Sequence, residues 1–482
     1  MGWYIRRPME IAKAVSPSKR LDRCDGALLA AFAIVAALGT WNGCLLVNDG
    51  AVLLSAGWLG NAWDLYLDQV AGRAVSTLVA FGPAWLARWA LDLGPASYVA
   101  AAHALYFAVP LLLWAAIRTI EPQRLFSRLY LAMALALIYF PTELIVGMGL
   151  WMIWAAAVAD PARSTRQVVA TTLVLGLAMA FTHPALAAMS LLYAATGGAL
   201  LSLGRPFPGR TAMAAAAMAA LLVVAYAATS SLMPPANPTI ARALAANRYD
   251  HVDPWWMLAT LAIFPMLSAL WLLLLAPGAE VARLRWRLPP WALTSVAVLG
   301  LWFAVNGASM LTWIYARHTG TYVLVLALAA PAGDWLARAR RPLMLFAAIV
   351  AAGAISYGVD LALFGRFLEQ RGGSGVVDVD ASPAPPWPPR REATFGPRIY
   401  FKWAAGDDYV RDVVVPDYDW YRVTLAFYSF FASDGRTVLY HRLTADGWIP
   451  FACAPIERAL DGALGGSRRM FLRFLGENYC VR

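Results

Sequence analysis

Charge is scarce in this chain. Only 14% of its 482 residues are Asp, Glu, Lys or Arg, against 60% that are hydrophobic. With a mean hydropathy of +0.57, such a composition leaves too little polar surface to face water on all sides, which excludes an ordinary soluble enzyme. Histidine and cysteine are scarcer still, at five and four. No C-x-x-C and no His pair at ligand spacing occurs, so the common zinc motifs are excluded. The formal net charge of +10 is spread over short loops and is not gathered on a soluble basic face, which sets nucleic acid aside as a partner. After the first apolar run, "WNGCLLVNDG" offers no A-x-A-like cleavage site, so that run is expected to be an uncleaved first span.

Long hydrophobic runs are abundant. About 20 helical residues cross a bilayer, and every backbone polar group must be paired inside it. On that measure the sequence predicts about eleven transmembrane helices, at 26–47, 98–117, 127–141, 142–158, 168–182, 184–203, 211–231, 255–276, 289–311, 319–337 and 342–362. The expected fold class is an all-α polytopic membrane protein. With residues 1–25 as a cytoplasmic segment, the inside loops are "RTIEPQRLFSR", "DPARSTRQ", "GRPFPGR", "AEVARLRWR" and "ARARR". All are basic, as cytoplasmic loops tend to be. An odd number of spans places the carboxyl terminus outside.

The hydrophobic pattern stops near residue 363, closing a transmembrane domain over 26–362. "EQRGGSGVVDVDASPAPPWPPRR" reads as a linker over 363–395, flexible and then stiffened by proline. Residues 396–482 are expected to form a small α+β extracytoplasmic domain, because β-branched and aromatic runs punctuated by Asp-Gly mark hairpins and "APIERALDGAL" is helix-like. Cys24 falls at the inner edge of the first span and Cys44 within it. Cys453 and Cys480 share the outside domain, where a disulfide between them is expected.

The first outside loop, 47–97, is too long for a simple turn. Within it Trp63, Leu67, Val70, Ala74, Leu78 and Phe81 recur at helical spacing and form one apolar stripe, as in a helix lying in the membrane interface. Asp64 and Asp68 flank the stripe on its polar side, with Arg73 following. Asn48-Asp49-Gly50 puts a third carboxylate directly at the outer end of the first span.

This arrangement resembles the GT-C class of polytopic glycosyltransferases, which draw on sugars carried by polyprenyl phosphate. The resemblance is architectural and covers essentially the whole chain: amino terminus inside, an acidic first outside loop, many spans and an outside carboxyl-terminal domain. It implies an enzyme of a bacterial inner (cytoplasmic) membrane with its carboxyl terminus in the periplasm. Its partners would be membrane lipid, a polyprenyl-phosphate-linked sugar donor and a glycan or lipid acceptor. In that class an early carboxylate deprotonates the acceptor or helps to hold a divalent metal. Asp49 corresponds best, with Asp64 and Asp68 as alternatives. No D-x-D follows the first span at once, which leaves the metal open. "TWIYARHTGTYVLVLAL" sets Arg317 and His318 at the outer start of a late span, where members of the class face the lipid phosphate.

Ionisable residues at membrane depth are costly and tend to face cavities. That adds Glu143 in "YFPTELIVG" and His183 in "FTHPAL" to the binding candidates Arg73, Arg317 and His318. Two other functions share parts of the pattern. A lipid-linked glycan polymerase or ligase usually carries its large outside loop late in the chain. A transporter or flippase often shows internal repeats or mid-membrane charges, and neither is evident here.

Overall fold

A computed structural model describes residues 21–41, 43–46, 48–60, 73–121, 125–137, 144–183, parts of 186–194, 209–232, 375–378, 430–431 and 433–440. Apart from one pair of short strands, the described elements are helical. They are α1 (Arg23–Trp41), α2 (Asn48–Trp58), α3 (Ala74–Leu91), α4 (Pro95–Ile120), α5 (Leu125–Leu137), α6 (Leu144–Ala159), α7 (Thr165–Ala180) and α8 (Gly209–Leu232). Four of these are long and apolar enough to cross a membrane: α1, α3, α4 and the Gly209–Ala228 part of α8. This is an integral membrane protein. The expected spans at 255–276, 289–311, 319–337 and 342–362 lie outside the described residues, as does most of 184–203.

Local chemistry accounts for the helix ends. Asp22 caps α1, its Oδ1 accepting from the N–H groups of Cys24 at 2.9 Å and Asp25 at 3.0 Å, as a short acidic side chain does for otherwise unpaired first-turn donors. Glu121 does the same for α5, accepting from Phe126 N at 2.7 Å and Ser127 N at 2.9 Å. Ser164 and Gln167 form a capping box on α7. Pro95 opens α4 after Gly94, the position where a missing N–H does no harm.

α6 is the centre of the bundle. Its residues from Leu144 to Val158 are apolar on all sides, and all of them except Leu150 and Ile153 are buried, as expected of a helix with neighbours all round. Gly149 permits the close approach of α4: a Cβ there would lie 2.7 Å from Leu113 Cδ1. The two indoles of α6 have polar partners, Trp151 Nε1 donating to Ser190 Oγ and Trp154 Nε1 to Thr172 Oγ1, each at 3.0 Å. Outward-facing positions on α7, including Leu173, Val174 and Leu177, are apolar and exposed, as a lipid-facing surface would be.

Two expectations change, at Cys44 and in the stretch read as linker. The first helix ends at Trp41, so Cys44 is in a buried 3-10 turn, Cys44–Leu46, beyond it. Gly43, at a φ of +67°, supplies the left-handed residue that stops helices. Among the described residues of 47–97 are α2 and α3, and α3 has by length and apolarity the makings of a span. Gly82-Pro83 and Arg88 break up its hydrophobic run in the sequence. The stretch read as linker contains a strand, Gly375–Asp378, which pairs in parallel with Thr437–Tyr440; a hairpin would have been antiparallel. Cys24 and Cys44 are buried thiols outside any disulfide, while Cys453 and Cys480 lie outside the described residues.

Candidate functional site

The segment expected as the first outside loop is anchored at several points. His103 of α4 accepts the Leu45 N–H on Nε2 at 3.2 Å, so its proton resides on Nδ1, 2.8 Å from the Val99 carbonyl. That buried ring ties the 3-10 turn to α4. The turn leads directly into α2, whose second residue is Asp49. Farther along α2, Leu53 O accepts from Trp85 Nε1 and Leu54 O from the Tyr98 hydroxyl, both at 2.9 Å. Gly57 lets α3 come close, since a Cβ there would fall 1.9 Å from Trp85 Cδ1. Asp49 thus belongs to a short helix held at both ends.

The same assembly also receives residues 430–434 of the carboxyl-terminal region. Trp58 is surrounded by Tyr98, Phe430 and Phe431, with ring centroids 5.7 to 5.9 Å away, and the Arg88 guanidinium lies 4.4 Å over its ring. Asp434 Oδ1 accepts from Ala96 N at 3.0 Å, capping α4 from a distant part of the chain.

The segments that carry Arg73 and His183 meet at one junction. Arg73 is the N-cap of α3 and makes no side-chain capping bond there; His183 follows the end of α7 and is buried. Val75 N donates to Phe181 O at 2.9 Å. Ser76 Oγ is 2.9 Å from both Arg73 O and Thr182 O, one hydroxyl proton serving two carbonyls. The start of α3 is therefore bound to the end of α7. Ser76, Thr77 and Thr182 are buried in this junction. The sequence reading missed them; the only signal was small hydroxyl residues beside the two candidates, in "RAVST" and "FTHP".

Asp49 is placed by the backbone of α2 alone, and Asp64, Asp68, Glu143, Arg317 and His318 lie outside the described residues. Among the described residues no group of three or more His, Cys, Asp or Glu could hold a metal ion.

A second polar centre went unnoticed in the sequence. Asp25 on α1 accepts from Arg118 Nη1 at 2.7 Å and from Arg128 Nε at 2.8 Å, and Arg128 also pairs with Asp22. Among the described residues the cluster joins α1, α4 and α5 through two carboxylates and two guanidiniums. Burial pushes the Asp22 carboxyl up, but the backbone N–H groups and Arg128 outweigh it and hold the carboxyl below its usual range. Such a network is a structural tie in the first instance.

No family model, curated protein or solved structure matches the chain.

Proposed function

We propose that this protein is a membrane glycosyltransferase of GT-C type, moving a sugar from a polyprenyl-phosphate donor to a glycan or lipid acceptor at the extracytoplasmic face. The observation that supports the reading most is that the start of α3, next to Arg73, is bound to the end of α7, next to His183, through a buried polar junction, the two residues having been singled out separately as ligand-binding. The anchoring of α2, which carries Asp49, adds to it.

In this reading a carboxylate, Asp49 first and Asp64 or Asp68 otherwise, takes the proton of the acceptor hydroxyl. The acceptor oxygen bonds to the anomeric carbon as its bond to phosphate breaks. Positive charge stabilises the departing polyprenyl phosphate, and Arg317 with His318 supplies it. An arginine fork matches phosphate oxygens and stays charged at any working pH.

The test uses the full chain in lipid nanodiscs with a polyprenyl-phosphate sugar. Asp49→Asn keeps the shape and removes the base, and loss of a positioned base lowers turnover by about a hundredfold to ten-thousandfold. Arg317→Ala should chiefly raise the KM for the lipid donor. If Asp49→Asn, Asp64→Asn and Asp68→Asn all transfer at the normal rate, or no lipid-linked sugar is consumed, the glycosyltransferase reading fails.

A further inference from the structure

Residues 430–435 fold into a small closed turn. The Gly435 N–H bonds back to Phe430 O at 2.8 Å, and the Ser433 hydroxyl donates to the same carbonyl at 3.2 Å. Asp434 and Gly435 stand at φ of +53° and +77°, the left-handed conformation that aspartate tolerates and glycine adopts freely. Two such residues in succession fold the chain back on itself. Phe430, Phe431 and Asp434 thereby come to rest on one group of helices, the two rings buried and the carboxylate residue exposed.

What the turn grips is short of support of its own. α2 has eleven residues, below the length at which a helix holds itself in water, so its place is set by what it touches. Its last residue, Trp58, meets both rings edge-on, and Phe431 also reaches Tyr98 of α4 at 6.0 Å between centroids. The N-cap of α4 is Gly94, which has no side chain to pair the first-turn donors. Asp434, 338 positions away in the chain, supplies the missing acceptor to Ala96 N. Beyond Gly435 the chain enters the strand Thr437–Tyr440, paired with Gly375–Asp378, so the turn runs between the helices and a strand pair. The Asp25 centre is at the far end of the same bundle, since Ala96 and Arg118 are separated by about 33 Å of α4.

We propose that residues 430–435 are a strap by which the carboxyl-terminal region closes on α2 and α4, and that releasing the strap opens α2 locally while the far end of the bundle stays folded. The strap is independent of the glycosyltransferase reading, to which it adds only that the carboxyl-terminal region sets the place of the helix carrying Asp49.

Hydrogen–deuterium exchange of the full chain in nanodiscs, read by mass spectrometry, tests this over residues 48–58, 95–99 and 23–30. Phe431→Ala should speed exchange over 48–58 about a hundredfold or more, as expected for an emptied aromatic site, and leave 23–30 at its original rate. Asp434→Gly removes the cap and keeps the left-handed backbone; it should speed exchange over both 48–58 and 95–99 about fivefold. Asp434→Asn, an equally good cap that also tolerates a positive φ, should exchange like the unchanged protein. Should Phe431→Ala fail to insert, the two Asp434 variants decide. Unchanged exchange over 48–58, equal acceleration over 23–30, or equal rates in Asp434→Gly and Asp434→Asn overturns the proposal. Exchange is read without turnover, so a chain that transfers no sugar leaves the strap standing, and an α2 that does not open leaves the enzyme standing.

Discussion

Asp25→Asn is the sharpest test of what holds the membrane helices together. The Asp25 side chain has 0% exposure, and its two oxygens are bonded to two guanidiniums, Arg118 on α4 and Arg128 on α5. The amide is the same size, so packing is preserved while the negative charge and one of the two acceptor oxygens are removed. Arg128 keeps Asp22, and Arg118, only 14% exposed, loses its bond to Asp25. Breaking a buried ion pair on one side typically costs about 3–5 kcal/mol, because the remaining charge is stranded. That is roughly two to four powers of ten in the open population. Asp22, with 27% of its side chain exposed, is screened by solvent, and Asp22→Asn should cost only about 1 kcal/mol. Cys24, next to Asp25, is a thiol only 3% exposed, so its labelling rate, read by mass spectrometry on the protein in detergent, reports opening at this point. Labelling of Asp25→Asn at the rate of Asp22→Asn, with equal thermal stability, would refute the assignment of this cluster as the tie between α1, α4 and α5.

Four further outcomes are expected. Gly57→Ala should destabilise by about 1–3 kcal/mol through overpacking against Trp85, whereas Gly26→Ala, with nothing within 4 Å of its added Cβ, should be neutral or stabilising by up to about 1 kcal/mol; thermal unfolding separates them. The Asp22 carboxyl, held below its usual pKa of 3.8, contributes stability that is complete above that value and is lost as pH falls through the lower folded value, so Asp22→Asn should flatten the acid limb of a stability profile below about pH 4. Reporter fusions after Gly60 and Leu93 should report the same face of the membrane; opposite faces would mean that α3 crosses it and that the carboxyl terminus lies on the other side. Cys453 and Cys480 should resist thiol labelling in unfolded, unreduced protein, the closed loop of about 27 residues being worth roughly 3 kcal/mol, and reactivity of either one ends that expectation.

Much of the helical order was legible in the residues themselves. The expected spans 98–117, 168–182 and 211–231 correspond to α4, α7 and α8, because hydropathy and helix ends are local properties: a run of apolar residues must pair its backbone within itself wherever it lies in a membrane. Where a run was broken, as by Gly82-Pro83 in α3, periodicity still marked a helix through Ala74, Leu78 and Phe81, but not one with the length of a span. Arg118 and Arg128 could be read in sequence only as charges of a basic loop. Their partners, Asp22 and Asp25, lie a whole helix or more away in the chain, and only packing could bring them together. The same holds for the segments that carry Arg73 and His183. Each of the two residues stood out alone by its charge or depth, but the hydroxyl residues between them became visible only when the end of α7 met the start of α3. Burial and hydrogen bonding belong to the assembled bundle, since they depend on which distant surface covers a residue.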